Sequence, residues 1–541
     1  MATAYFLACL MLGGGTRAGF FSDVALQMLA VPLLLWAAWR LIELPPDAGR
    51  KQGRIAILVC LLAAAIPLVQ LVPMPPALWT ALPGRADFVS ALEAAGLEPG
   101  WRPISVSPRG TWLSAIALLP PAAVLLCAAQ LGYAERRRIA IVLLAFGMVA
   151  AALGLLQVAQ GTASPLRFYA FTNATETVGF FANRNHHAAL LYVLVPIAAA
   201  MSIAAVIRTQ AAGSIRSRRA SPHLIVAMLG LAALVVLVAA QAITRSRAGI
   251  GLTLVALLGS LAMTYAGRFS GVSPSSKTPD NTATRTGRRL LIAAFGLAVL
   301  MATQLAFHRV QTRFASGPLE DGRVLLVRTT IEGARAFMPF GSGMGTFVPV
   351  YKAFERPVDD WGAFINRAHN DYLELWLEAG LIGIVAMIVA LGWIAAACVR
   401  VWRSGLPGAG QRDSLLACAA TLVLFLLLMH SMVDYPLRTT ALMAVFAFAA
   451  ALVHAPLGAE AVLSARSSEP AERRKNARPR SLEPEPDAMA EPQSDGARFA
   501  PLPPRTDWPV AWRRPGRPDR PPMPKLPGSV RTDDRDESEK R

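Results

Sequence analysis

Residues 368–383 read AHNDYLELWLEAGLIG, and they decide how the rest of the chain is read. A long polar stretch ends at His369-Asn370-Asp371, and an apolar run follows with Glu374 and Glu378 at helical spacing. That run continues to residue 399, long enough for a membrane-spanning helix. Ionisable groups beside the hydrocarbon are costly, so their default reading is functional. The His-Asn pair is therefore a candidate site as well as a helix start, and Asn370 is placed to cap that helix.

The same alternation of apolar runs and polar links extends over most of the sequence. Of the 541 residues, 54% are hydrophobic and 16% are charged, against about 25% charged in soluble domains. Hydropathy gives an all-α polytopic membrane protein with about twelve spans. They lie near 3–18, 22–42, 54–73, 111–132, 138–159, 187–206, 223–242, 249–267, 290–307, 372–399, 413–430 and 439–456. MATAYFLACLMLGGG at the N-terminus lacks a basic leader and reads as the first span, not a cleaved signal peptide. The net charge of +18 is not a nucleic-acid signal, because much of the Arg and Lys sits in short loops where it sets orientation. Cys9, Cys60, Cys127, Cys398 and Cys418 all lie in apolar segments without a CxxC partner, so neither a disulfide framework nor a metal site is implied.

Basic residues fall in alternate loops: Arg50/Lys51/Arg54, Arg136 to Arg138, Arg208 to Arg219, Arg268 to Arg289, and Arg400/Arg403/Arg412. Those loops and both termini are expected on the cytoplasmic side. Segments 74–110, 160–186, 243–248, 308–371 and 431–438 then face outward, to the periplasm of a bacterial inner membrane. Within 308–371, Val324–Phe337 has the periodicity of a helix at the membrane surface and GSGMGTF is a glycine-rich turn. Three regions follow: N-terminal membrane helices at 1–139, a catalytic membrane domain at 140–456, and a tail at 457–541. The tail is rich in Pro, Arg and Glu, cannot bury a core, and is expected to be disordered in the cytoplasm.

The outward segments collect Asn183, Arg184, Asn185, His186, Arg245, Arg247, Arg323, Arg328, His369, Asn370, Asp434 and Arg438, each from a hairpin or beside a span end. Ordinary structural readings exist for each. Arg247, in the short link TRSRAG, could simply snorkel at the interface. Arg323 and Arg328 could be solvated loop charges, and Asp434 could belong to an Asp-Tyr-Pro turn. His369 could pack at a helix start. Against this, outward positive charge runs counter to the orientation bias, and a guanidinium fork suits phosphate oxygens. Imidazole titrates near neutrality and is a natural general base for a hydroxyl. Asn183, Asn185 and His186, in GFFANRNHHAALL, could bind sugar hydroxyls. No Walker loop, HExxH, GxSxG, CxxC pair or dinucleotide fingerprint occurs.

The order of these motifs resembles the O-antigen ligase and polymerase superfamily of bacterial envelope glycosyltransferases. The family's H-N/S/Q-x9-G-x-x-G signature is met by His369, Asn370, Gly380 and Gly383. Its Ser-Arg-Gly/Ala step is met by Ser246-Arg247-Ala248. Its Gly-Arg and G-x-G-x-G-T-F elements are met by Gly322-Arg323 and Gly341–Phe347. Gly179, Asn183 and Asn185 resemble its Gly-x-x-x-Asn-x-Asn segment. The resemblance spans about residues 140–450 and implies a GT-C-like arrangement with one large periplasmic loop. It also implies transfer of a glycan from undecaprenyl pyrophosphate to an acceptor hydroxyl, on lipid A–core or on a growing glycan. In that scheme Arg247 and Arg323 bind the pyrophosphate, and His369 activates or orients the hydroxyl. The displacement is inverting and independent of metal or other cofactor. The partners implied are the lipid-linked donor, the acceptor and membrane lipid, with no nucleic acid. The alternatives are a polymerase of the same superfamily and a transporter of lipid-linked glycan, which would place polar groups along mid-span paths rather than at one face.

Overall fold

A computed structural model describes residues 1–17, 19–43, 50–211, 222–266, 322–356, 364–406 and 409–456, with the single residues 296 and 304. The expected tail at 457–541 lies outside the described residues, as does nearly all of the expected span 290–307. From the N-terminus the helices are α1 (Ala2–Leu12), α2 (Phe21–Glu43), α3 (Arg50–Gln70), α4 (Pro76–Thr80), α5 (Ala86–Ala94), α6 (Pro108–Ile116) and α7 (Leu119–Gln130). They continue as α8 (Tyr133–Ala159), α9 (Arg184–Ala211), α10 (Pro222–Ile243), α11 (Arg247–Ala266), α12 (Gly322–Ala336) and α13 (Phe347–Phe354). The last three are α14 (Asp371–Ser404), α15 (Gln411–His430) and α16 (Thr440–Leu452).

Every expected span other than 290–307 has a helix over it. Among the described residues eight helical stretches are long and apolar enough to cross a membrane, with α6 and α7 counted as one. The helices at Ala2–Leu12, Ile55–Gln70 and Thr440–Leu452 are shorter, so eight full-length spans are described rather than the twelve expected. The chain is a mostly helical, multi-pass membrane protein. The first span ends early for a steric reason. Gly13 and Gly14 thread through the bundle, where their carbonyls accept from Ala441 N and Ala182 N, each at 3.0 Å. A Cβ on Gly14 would stand 2.1 Å from the Phe180 carbonyl oxygen.

α9 is the central helix, with 83% of its apolar window buried, and it packs against α8, α10, α11 and α15. Lipid gives little hydrophobic drive for helices to associate, so close packing of small side chains matters instead. Ala188, Ala189, Ala198 and Ala199 on α9 and Ala441, Ala444 and Ala449 on α16 are all buried. Arg136, assigned from sequence to a basic cytoplasmic loop, is 2% exposed. It donates to the carbonyls of Ala128, Ala129, Ala451 and His454. It thus ties the end of α7 to the end of α16 as well as carrying charge.

α12 and α13 pack on α14. The helix expected at 324–337 is α12, and α13 was not foreseen. Residues 73–106 also hold an antiparallel two-residue pairing of Pro73–Met74 with Arg102–Pro103. This is a small departure from an all-α fold, too short to show a period of two in sequence. Val106 N donates to Ser342 O at 2.9 Å, and Thr111 Oγ1 donates to Met344 O at 2.6 Å. The segment before α6 therefore holds the glycine-rich turn at 341–346 in place.

Candidate functional site

His369 immediately precedes the Asn370 N-cap of α14. The Asn370 side chain accepts from the backbone N–H groups of Tyr372 and Leu373, each at 3.0 Å, and donates to Met432 O at 2.9 Å. The cap and the 431–438 turn are thereby joined, and Asp371 N donates to Ser431 O at 2.9 Å to extend the seam. His369 has φ +50, and Arg245 has φ +55; they are the two non-glycine residues with positive φ among the described residues. Such backbone costs of order 1–3 kcal/mol and persists where the surroundings impose it, often at functional sites.

The imposed geometry carries His369 Nδ1 to 3.0 Å from Asp434 Oδ1. Asp434 is 1% exposed, whereas the His369 side chain is 29% exposed. The other carboxylate oxygen accepts from Asn185 Nδ2 at 2.5 Å, and the backbone N–H of Tyr435 donates to Oδ1 at 3.0 Å. Burial by itself would raise the Asp434 pKa, but the hydrogen bond and charge of His369 hold it well below the usual carboxylate range. With Asp434 ionised, Nδ1–H donates to it, and Nε2 is the ring nitrogen not committed to the carboxylate. Tyr435 stands edge-on between two imidazoles, its ring centroid 4.9 Å from those of His369 and His186. Behind Asp434, His430 Nε2 lies 4.0 Å from Oδ2, and His430 Nδ1 shares a 2.8 Å hydrogen bond with Tyr192.

A second charged cluster lies one helical turn further into α14. Arg438 approaches Glu378 Oε2 at 3.0 Å, Glu374 Oε1 at 3.5 Å and Asp371 Oδ1 at 3.5 Å. Arg367 adds a 2.8 Å contact to Glu374, whose other oxygen accepts from Ala368 N at 2.9 Å. Glu374 and Glu378 are fully buried. Burial opposes a charge on Arg438, but the three carboxylates outweigh it and hold the guanidinium charged. This cluster fixes both chain segments that flank His369.

The glycine motifs have a shared role here. Gly380 has φ +57 and kinks α14. A Cβ on it would meet Pro339 O at 2.3 Å, and one on Gly341 would meet Glu378 O at 2.5 Å. Ser342 N and Gly343 N donate to the carbonyls of Leu377 and Glu378 that the kink frees, at 3.0 and 2.9 Å. The kinked helix and the glycine-rich turn are two halves of one contact.

Arg245 and Arg247 are exposed, with no ion pair or hydrogen bond to another described side chain. Gly249 packs against Ala188, where a Cβ would come within 2.8 Å. The start of α11 therefore lies beside the first turns of α9, the helix that supplies Asn185 to Asp434. Arg323 is in the first turn of α12, and its side chain lies outside the described residues. Arg328 pairs with Glu332 on the α12 surface at 3.2 Å. Asn183 donates to the Tyr435 hydroxyl at 3.4 Å. His186 is fully buried and edge-on to the Tyr435 ring, so it does not itself face solvent. Thus Asn183, Asn185, His186, His369, Asn370 and Asp434 meet in one place, while Arg328 does not join them. Sequence reading singled out Arg438 without its carboxylate partners, and it missed Tyr435, Arg367 and His430. The available signal was a cluster of ionisable groups, HSMVDYPLR, closing an apolar run. Among the described residues no three His, Cys, Asp or Glu side chains are grouped to hold a metal ion.

Residues 232–388 match the family model described as O-antigen ligase. The chain contains an O-antigen ligase family region. The match takes in Ser246-Arg247-Ala248, Gly322-Arg323, the glycine-rich turn and His369 through Gly383. It leaves out Asn183, Asn185 and Asp434, which the fold brings to His369. No curated protein matches the chain.

Proposed function

We propose that this O-antigen ligase-family protein is a membrane glycosyltransferase. It moves a glycan from undecaprenyl pyrophosphate to an acceptor hydroxyl, the acceptor being lipid A–core in lipopolysaccharide synthesis. The observation that supports this best is the His369–Asp434 pair, with His369 held at a positive φ and only one of its ring nitrogens tied to the carboxylate. His369 Nε2 takes the proton of the acceptor hydroxyl as that oxygen bonds to the anomeric carbon of the glycan. The bond from that carbon to the pyrophosphate oxygen breaks on the opposite face, which inverts the centre. Asp434 keeps the imidazole in the tautomer with a free Nε2 and stabilises the imidazolium that forms. Arg247 and Arg323 balance the charge growing on the departing pyrophosphate, an electrostatic role suited to a water-poor site. The leaving group is already activated, so the scheme requires no nucleotide and no metal. The site faces the periplasm at the inner membrane.

The test is the envelope glycan profile of a deletion strain complemented with wild type, His369→Ala or Asp434→Asn. Ligation predicts that both variants leave lipid A–core bare while long polymer stays on the lipid carrier. Core capped with a single repeat would instead assign polymerisation. Normal lipopolysaccharide with alanine at 369 would overturn the catalytic role.

A further inference from the structure

The link between α3 and α6 holds a cavity of about 220 Å³ that shares no residue with the dyad. Trp79, Phe88, Leu92, Arg102, Ser105 and Val106 are among its walls. Arg102 has a fixed place there, because it pairs with Met74 in the short antiparallel contact. The cavity rests on the glycine-rich turn. Val106 N donates to Ser342 O at 2.9 Å, and a Cβ on Gly343 would meet Ser105 Oγ at 2.5 Å. That turn braces the Gly380 kink, which follows Asp371 by nine residue steps, roughly 14 Å of helix. The cavity therefore stands apart from the reacting centre proposed above.

The side-chain hydrogen bonds of these walls are mostly committed. The Trp79 indole donates to Pro103 O at 2.9 Å. Ser105 Oγ is shared between Thr111 Oγ1 at 2.7 Å and Ser107 N at 3.1 Å. Arg102 is the exception. Its half-buried side chain makes no hydrogen bond or ion pair among the described residues, and its Nε is shut off from solvent without a partner. No acidic side chain lines the cavity. The Arg102 guanidinium lies 5.7 Å from the Trp79 ring centroid, contact that orients the fork and leaves its N–H edges free. A second guanidinium, that of the buried Arg85, lies 5.7 Å from the same ring and also has no carboxylate partner among the described residues. The site is thus positive, concave and apolar-walled, with one uncommitted donor group. An inorganic anion would leave the apolar wall bare, and a neutral sugar would leave the guanidinium unpaired, a costly outcome once water is displaced. A ring with a C–H face and a carboxylate satisfies both.

We propose that this cavity is an accessory site for one hexuronate residue of a glycan, with the carboxylate on Arg102 and the C–H face of the ring against Phe88, Leu92 and Val106. The choice of a glycan rests on the transferase reading above. Taking about 30 Å³ per water-sized group, the cavity holds on the order of seven such groups, enough for a single six-membered ring with the rest of the chain outside. Because the cavity stands apart from His369, it holds a sugar removed from the reacting end. It selects acidic glycans over neutral ones and takes no part in the transfer itself. The segment that builds it lies outside the matched residues 232–388.

The test is saturation-transfer NMR on the full-length protein in nanodiscs, with methyl glucuronide and methyl galacturonide compared with methyl glucoside, and with acetate and phosphate as competitors. At least one uronide should bind about tenfold or more tighter than the glucoside, the scale of a charge-assisted hydrogen bond. Acetate and phosphate should displace it only at much higher concentration. Arg102→Ala should abolish the preference for the uronide, and Arg102→Lys should keep part of it. Ala91→Trp, which fills the cavity from α5, should weaken uronide binding while leaving Arg102 in place. Four results would each overturn the proposal: no uronide binding, equal binding of the glucoside, wild-type binding by Arg102→Ala, or displacement by acetate or phosphate at the uronide's own concentration. No glycan is transferred in this assay. Uronide binding at Arg102 would stand even if His369→Ala left the glycan profile normal, which would remove only the transferase reading. Absent binding with a bare lipid A–core in His369→Ala would remove only the accessory site.

Discussion

Two pairs of arginines near the ends of the membrane helices differ sharply in their surroundings. Arg367 and Arg438 are largely buried and surrounded by carboxylates, whereas Arg245 and Arg247 are exposed and unpaired among the described residues. A buried arginine with its partners satisfied has no capacity left for a ligand, and its removal strands the carboxylates. An exposed arginine held at a fixed backbone position contributes little to folding and is available to an incoming anion. In the proposed scheme the first pair builds the site and the second is left to serve it. His369 sits at the join, anchored on one ring nitrogen and open on the other.

The largest expected effects fall on that join. His369→Ala should lower transfer at least 1,000-fold, and Asp434→Asn by about 100- to 10,000-fold through the wrong imidazole tautomer, read as product per minute with purified protein. Next comes Arg438→Ala, which should cost about 3–5 kcal/mol of stability by leaving buried carboxylates uncompensated; thermal unfolding in detergent checks it. If this variant keeps wild-type stability but loses activity, the division between building and serving arginines fails. Arg247→Ala should show the reverse, with transfer down about 10- to 1,000-fold and unfolding shifted by less than about 0.5 kcal/mol. Arg328→Ala sharpens the contrast from below: its exposed pair with Glu332 predicts about 0–1 kcal/mol and unchanged transfer.

The pH dependence of the dyad gives a further check. The Asp434 pKa is lowered in the fold, so its stabilising contribution is present above the unfolded value of about 3.9 and is lost as pH falls through the folded value. The stability gap between wild type and Asp434→Asn should therefore be constant from pH 7 to about 5 and shrink only below about 4. A gap that closes near neutrality would show that the carboxylate is not held ionised.

Much of the site was legible because its parts are local. The Asn370 cap, the helix from residue 322 and the paired glycine motifs each follow from neighbours within a turn or two. Asp434 was legible as a turn residue or a candidate binding group, but not as the partner of His369, which is 65 positions away with no periodicity to link them. Arg438 and Glu378 read as separate charges near span ends, and only packing shows that they neutralise one another. The early end of α1 was hidden by composition, since a run of glycines scores as apolar while lacking the side chains that hold a helix in lipid.

The sequence by itself determined that this is a multi-pass helical membrane protein with His369 at a membrane boundary, because hydropathy and capping act over short spans of chain. Tertiary structure decided which ionisable groups serve the site and which only hold it together. That choice depends on distances between helices far apart in sequence, where a few ångströms separate a paired charge from a free one.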